Sequence, residues 1–262
     1  MPWAPLFLAA LLVLAVPPPA AAQTAGVFQE GEDLTYNVRY GFIDLGQVRI
    51  RTVKRVEPPG TMAYDCIANI GSYESVPFVT LRALYQSLID TAFFARRFYG
   101  KSSEGKGTTF SRYFYDYPNK RVVMETGVRD SVVERRDTLR ADGPLQDGLS
   151  LFFYARNQVR SVRRVNIPTV VMEKKVNTFI DFRNERTSVE IDAITYPVDV
   201  VRFDGTAEFV GLFGLTGDFE GWFSNDDARI PIQAKMKVII GSVTLELMEW
   251  KREGWTPPRA KE

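Results

Sequence analysis

Between Phe28 and Trp250 apolar side chains recur at every second position, the repeat of a strand with one face buried and the other wet. Ile230, Ile232, Ala234, Met236, Val238 and Ile240 alternate with Pro231, Gln233, Lys235 and Lys237, and only Ile239 breaks the run. Met62, Tyr64, Cys66, Ala68 and Ile70 share one face, which turns Cys66 inward, and Leu34, Tyr36, Val38 and Tyr40 repeat the scheme. Similar runs occupy 46–54, 108–116, 121–127, 169–173, 176–182, 187–193, 198–203, 206–213, 218–223 and 243–249. Turn chemistry separates them at Pro58-Pro59-Gly60, Glu104-Gly105-Lys106-Gly107, Pro118-Asn119, Asp204-Gly205, Thr216-Gly217 and Asn225-Asp226-Asp227. Short strands with close turns pair antiparallel, because parallel neighbours need long crossovers. About a dozen such strands cannot stay flat, since twist accumulates until the sheet curls and hides its edges.

The expected fold is therefore mainly β: a curled antiparallel meander forming a barrel or open half-barrel, with one or two short helices at its mouth. Asp147 can cap a helix reaching about Asn157, with Leu149, Phe152 and Phe153 on one stripe. That segment is the expected plug. A second, shorter helix is expected near Ser75, with Pro77 in its first turn and Phe78 and Leu81 on one side. Phe93 and Phe94 are read as neighbours on a strand. An outer-membrane barrel would need an apolar outside and aromatic girdles; the outward sets here hold Arg39, Arg51, Asp65, Lys235 and Lys237, so a soluble barrel is preferred.

Residues Leu6 to Val16 form an apolar run of 11, followed by Pro17-Pro18-Pro19 and Ala20-Ala21-Ala22. The run is too short for a membrane-spanning helix, which needs about 20 residues, and it reads as a secretory signal peptide cut after Ala22. The expected organisation is a signal peptide at 1–22, a single β-rich domain at 23–255 and a flexible tail at 256–262. Periplasmic location follows as the expectation, and a single cysteine suits an oxidising compartment. The 33 Lys and Arg nearly cancel the 32 Asp and Glu, so no uniform field points to nucleic acid. The chain has no histidine, which removes Ser/His/Asp and Cys/His catalysis and imidazole metal sites together.

Four blocks carry a resemblance. Phe28-Gln29-Glu30-Gly31-Glu32-Asp33-Leu34-Thr35-Tyr36, Gly46, Asp147-Gly148-Leu149-Ser150-Leu151-Phe152-Phe153-Tyr154-Ala155-Arg156 and Trp222 through Ile232 together resemble an exported bacterial family known as domain of unknown function 3108. The resemblance implies a periplasmic β-rich protein, similar in outline to the half-barrels of lipoprotein carriers. It supplies no catalytic residues.

Few constellations suggest chemistry. Ser224-Asn225-Asp226-Asp227 offers oxygens to Ca²⁺ but lacks the spacing of a calcium loop and reads as a turn; as a glycosidase pair, adjacent carboxylates on a strand would face opposite ways. Gly105-Lys106-Gly107-Thr108 lacks the P-loop spacing and a following helix. Cys66 has no base to activate it. No cofactor or metal is expected. Phe152, Phe153 and Trp222 are the candidate ligand-lining residues. Arg156, Arg160, Arg163 and Arg164 are the candidate contacts for anionic headgroups in a peripheral membrane contact, set against a solvated loop. The leading expectation is a non-enzymatic protein that binds a hydrophobic or lipidic molecule, or an envelope protein segment, in its concave face. A structural or assembly factor acting through its surface comes second, and a carboxylate-only glycan hydrolase third.

Overall fold

A computed structural model describes residues 26–56, 62–76, 80–104, 107–129, 131–208, 217–237 and 241–261. The strands are β1 (Asp33–Tyr40), β2 (Ile43–Val56), β3 (Ala63–Ser72), β4 (Leu81–Asp90), β5 (Ala95–Glu104), β6 (Gly107–Asp116), β7 (Arg121–Val128) and β8 (Val132–Arg140). Helix α1 (Gly148–Gln158) follows, then β9 (Arg163–Val171), β10 (Lys174–Val189), β11 (Val198–Ala207), β12 (Gly217–Ser224), β13 (Pro231–Lys237) and β14 (Ser242–Lys251).

All of these strands lie in one antiparallel sheet, ordered β8-β7-β6-β5-β4-β3-β2-β1-β14-β13-β12-β11-β10-β9. Two meanders are thus sewn together in mid-sheet by the first and last strands, with Leu34 opposite Trp250 and Tyr36 opposite Leu247. The sheet does not close. Its edges, β8 and β9, are consecutive in the chain and are joined by the segment carrying α1. Register shifts at Thr35/Tyr36, Val38/Arg39, Thr52/Lys54, Leu88/Ile89, Thr126/Gly127, Phe182/Glu185 and Trp222/Phe223 bend individual strands and raise the local twist. This is the mainly β, open half-barrel that the alternation implied.

The helix forms because Asp147 caps it well. Its carboxylate accepts from the backbone N–H of Leu149 and Ser150, while Ser150 Oγ accepts from the Asp147 N–H. Leu149 and Phe153 enter one core with β1, β2, β3 and β14; Ala155 and Val159 enter another with Ile167, Ile180, Phe182, Val201, Phe203 and Phe223. Helix α1 is therefore a wedge between two apolar clusters, with Tyr113, Tyr115, Val122, Met124, Leu145 and Val170 forming a third.

Several expectations are corrected. The 176–182 and 187–193 runs are one bulged strand, β10, ending at Val189. Asp204-Gly205 is no turn: it lies within β11, where a side chain on Gly205 would come 2.4 Å from Phe179 O and 2.4 Å from the Phe219 ring. Phe93 and Phe94 sit in the β4–β5 turn, with Phe93 at φ 66 and buried, because Asp90 Oδ1 accepts from the N–H of Ala92 and Phe94 and fixes the reversal. The tail is tied down rather than frayed: Asp199 N–H donates to Pro258 O, Ala260 N–H to Pro197 O and Tyr196 O–H to Pro257 O. Leu81 opens β4 instead of lying on a helix. Pro77 and Phe78 of that expected helix, the signal segment, the Pro58–Gly60 and Gly105-Lys106 turns and the Val238-Ile239-Ile240 strand end lie outside the described residues.

Candidate functional site: a buried junction of three sequence blocks

At the end of the half-barrel where α1 meets the chain termini, an ionic cluster lies inside the core. Helical spacing puts Arg156 on the same stripe as Leu149 and Phe153, so its side chain points inward, where it is 0% exposed. Its two terminal nitrogens meet both oxygens of Glu32, at 2.7 and 2.8 Å. Its Nε and Nη2 donate to the carbonyls of Ala228 and Arg229 over 3.0–3.2 Å. Arg252, which follows β14, also binds Glu32 and donates to Gly26 O at 2.6 Å. Each of the three Arg156 nitrogens thus has an acceptor, as a buried charge requires. Burial works against the Arg156 charge, and the facing Glu32 carboxylate outweighs it, holding the guanidinium above its ordinary value. Arg252 is pushed down by burial, with Arg156 repelling it and Glu32 opposing the shift. The junction joins the Phe28–Tyr36, Asp147–Arg156 and Trp222–Ile232 blocks through the side chain of Arg156.

Around it aromatic rings pack face to face. The Phe28 ring stacks on Tyr64, Phe93 and Phe153 at centroid separations of 4.3, 4.8 and 5.1 Å. The Asn225-Asp226-Asp227 turn is held the same way: Asp226 accepts from Ser224 O–H, Arg229 N–H and Trp255 Nε1–H, at 2.8, 2.9 and 2.7 Å. Its carboxylate is consumed by structure, and no metal-holding group of three ligands occurs among the described residues.

Phe153 is buried and stacks on Phe28, and Phe152 lies beside it, edge-on to Phe223 at 6.4 Å. Trp222 stands directly opposite Arg202 and Gln233, with Lys235 5.7 Å from its ring, and belongs to the same apolar cluster as Phe153, against which Phe152 also packs. Arg156 is not a headgroup contact, because it is locked inside. Arg160 pairs with Asp227 at 3.1 Å, Arg163 reaches back to Gln158 at 2.6 Å, and Arg164 stands opposite Asp181. The basic cluster seen in the sequence is thus divided among a turn, a helix end and a sheet face.

Glu32 and Arg252 were not singled out in the sequence. The signal was the i, i+4, i+7 spacing of Leu149, Phe153 and Arg156, which places a guanidinium on an apolar stripe and demands a buried carboxylate.

Asp147 is another perturbed group. Burial raises its carboxyl to about 6, against the opposing bond from Ser87 O–H at 2.6 Å and those from Ser150 and Leu149. A groove of about 610 Å³ lies along β10 to β13. It is polar and mostly neutralised internally: Arg183 pairs with Asp181, Arg202 with Glu220, and Lys237 with Asp218.

Residues 35–248 match the model of a family described as a protein of unknown function, DUF3108. The chain belongs to this family. Glu32 and Arg252 flank the matched region, and Arg156 lies within it. No curated protein matches. Among solved structures, the β-barrel-like DUF1849 protein from Brucella abortus superposes with a TM-score of 0.58 at 10% identity, over 86% of this chain and 98% of that one. A protein with a YmcC-like fold from Bacteroides fragilis gives 0.39 at 9% identity, over the same shares. The first likeness supports the unclosed-barrel fold of this DUF3108 member.

Proposed function

We propose that this DUF3108 protein is a non-enzymatic component of the bacterial envelope, exported by its N-terminal segment, that works by offering the outside of a filled half-barrel to another polypeptide. The observation that carries the reading is the burial of α1 against the sheet: its Leu149, Phe153, Ala155 and Arg156 are all buried. Among the described residues the four buried acids are likewise engaged: Glu32 with two arginines, Asp90 in the β4–β5 turn, Asp147 in the helix cap, Glu125 with Arg136. What the fold leaves available is its surface and an unpaired sheet edge.

A second reading keeps a hydrophobic or lipidic ligand on the concave face and requires α1 to move. It is favoured by one observation, that among the described residues a single helix packs against a sheet left open between β8 and β9.

Native mass spectrometry of protein released from the envelope without detergent, joined to photo-crosslinking in cells from a probe at Thr138 on β8, separates the two. The expected result is the bare chain mass and a discrete polypeptide adduct from Thr138 that a probe at Arg183, on the paired groove, does not give. Stoichiometric lipid on the native chain, with no adduct from β8, would overturn the first reading in favour of the second.

A further inference from the structure

The two edges of the open sheet are treated differently. Edge β9 carries Pro168, and the segment leading into α1 is laid against it: Gln146 N–H donates to Pro168 O at 3.0 Å and Val170 N–H to Gln146 O at 2.7 Å. That edge is blocked. Edge β8 pairs with β7 on one side, and among the described residues no other backbone bonds to it. Alternate residues of the nine from Val132 to Arg140 therefore present outward-facing N–H and C=O groups to solvent.

The charges flanking Arg136 on this edge are complementary about it. Arg135 and Asp137 lie opposite Thr126 and Met124 of β7, on the side of the buried Met124, and bind each other at 2.5 Å. Arg136 turns to the other face, where Glu125 holds it at 2.5 and 3.0 Å. An antiparallel copy related by a two-fold axis through Arg136 and perpendicular to the sheet keeps each face continuous. Arg135 then stands opposite the Asp137 of the copy, Asp137 opposite its Arg135, and Glu134 opposite Thr138. Four alternating charges surround the axis on one face. The like pair at the centre is Arg136 with its copy, each already neutralised by its own Glu125. Sliding the copy by one pairing step puts Arg135 on Arg135 or Asp137 on Asp137, and the quartet is lost. Charged residues ordinarily guard an edge against pairing; a self-complementary set rejects foreign or shifted strands and admits one register.

We infer that β8 pairs with β8 of a second copy of this chain, antiparallel about Arg136, to make an isologous dimer with one continuous sheet. The inference rests on the surface reading above and names the partner.

Charge reversal tests it, since Arg135 is exposed, Asp137 is half-buried at the edge, and neither belongs to the apolar core. Sedimentation equilibrium up to about 0.1 mM fills a contact with a micromolar Kd. The expected results are a dimer for the parent chain and at least tenfold weaker association for Arg135→Glu or Asp137→Arg alone. Recovery is expected in the double variant, and a heterodimer when the two single variants are mixed. A monomeric parent chain, or single variants that dimerise as the parent does, would overturn the inference. A parent monomer that still forms the Thr138 adduct with a different polypeptide removes the dimer and leaves the surface reading standing; stoichiometric lipid on the native chain removes that reading itself.

Discussion

Replacing Arg156 with methionine probes the junction directly, because Met fills much of the arginine stem while removing the guanidinium. Two bonds to Glu32 and three to the carbonyls of Ala228 and Arg229 disappear together. Breaking a buried ion pair by removing one partner costs about 3–5 kcal/mol. Arg252 remains on Glu32 and draws the figure toward the lower end, while two orphaned carbonyls add about 1–3 kcal/mol each where water cannot reach them. The expected loss is about 5 kcal/mol or more, a large part of the roughly 5–15 kcal/mol that holds a typical domain folded. Urea unfolding followed by tryptophan fluorescence reads it as a lower midpoint at unchanged slope. Two controls sharpen the test. Arg140→Ala, at the exposed pair with Asp142, should fall within about 0.5 kcal/mol of the parent, and molar salt should leave the Arg156 increment in place because buried charges are screened little. A loss under about 1 kcal/mol for Arg156→Met would refute the argument that this pair organises the core.

Other outcomes follow from the same geometry. In the double variant Glu32→Gln/Arg156→Met, the loss should fall short of the sum of the single losses by about 1 kcal/mol or more in a double-mutant cycle. Because Asp147 is raised to about 6 from 3.8, the native state holds a proton between those values that the unfolded chain has released; its contribution to stability falls as pH rises through that window and is flat above it. Asp147→Asn keeps the cap and should flatten this segment of the stability–pH curve, by about 3 kcal/mol for a two-unit displacement. Gly46→Ala puts a Cβ 2.2 Å from Gly71 O and should cost about 1–3 kcal/mol, whereas Gly143→Ala meets nothing within 4 Å and should be close to neutral by the same urea assay. Ending the chain at Trp255 releases the bonds to Asp199, Pro197 and Tyr196 and should lower the thermal midpoint by several degrees in calorimetry.

The strands that were legible in the sequence have one wet face. β1, β3 and β13 alternate cleanly because the core lies on one side and water on the other. β4 was not legible because Ser87, Leu88, Ile89 and Asp90 are all buried, so neither face meets water there and the alternation is lost. β8 was hidden for the opposite reason: it is exposed nearly throughout, and an edge strand of Glu134, Arg135, Arg136 and Asp137 carries no apolar signal. The Asp147 cap and the inward turn of Cys66 depend on local chemistry and were readable. The Glu32–Arg156–Arg252 cluster was not, because its members are separated by 124 and 220 residues and meet only when the first and last strands pair. Linear proximity of Arg156 to Arg160, Arg163 and Arg164 suggested a shared surface patch; the helix phase and strand parity disperse them.

Amide hydrogen exchange in α1 tests most directly whether this helix is a fixed part of the core. The N–H groups from Phe152 to Gln158 should exchange only through global opening, with the same free energy as β1, and should slow and speed with urea as β1 does. Exchange of α1 at a much lower free energy, while β1 stays protected, would show a helix that lifts away from the sheet and would contradict the filled half-barrel.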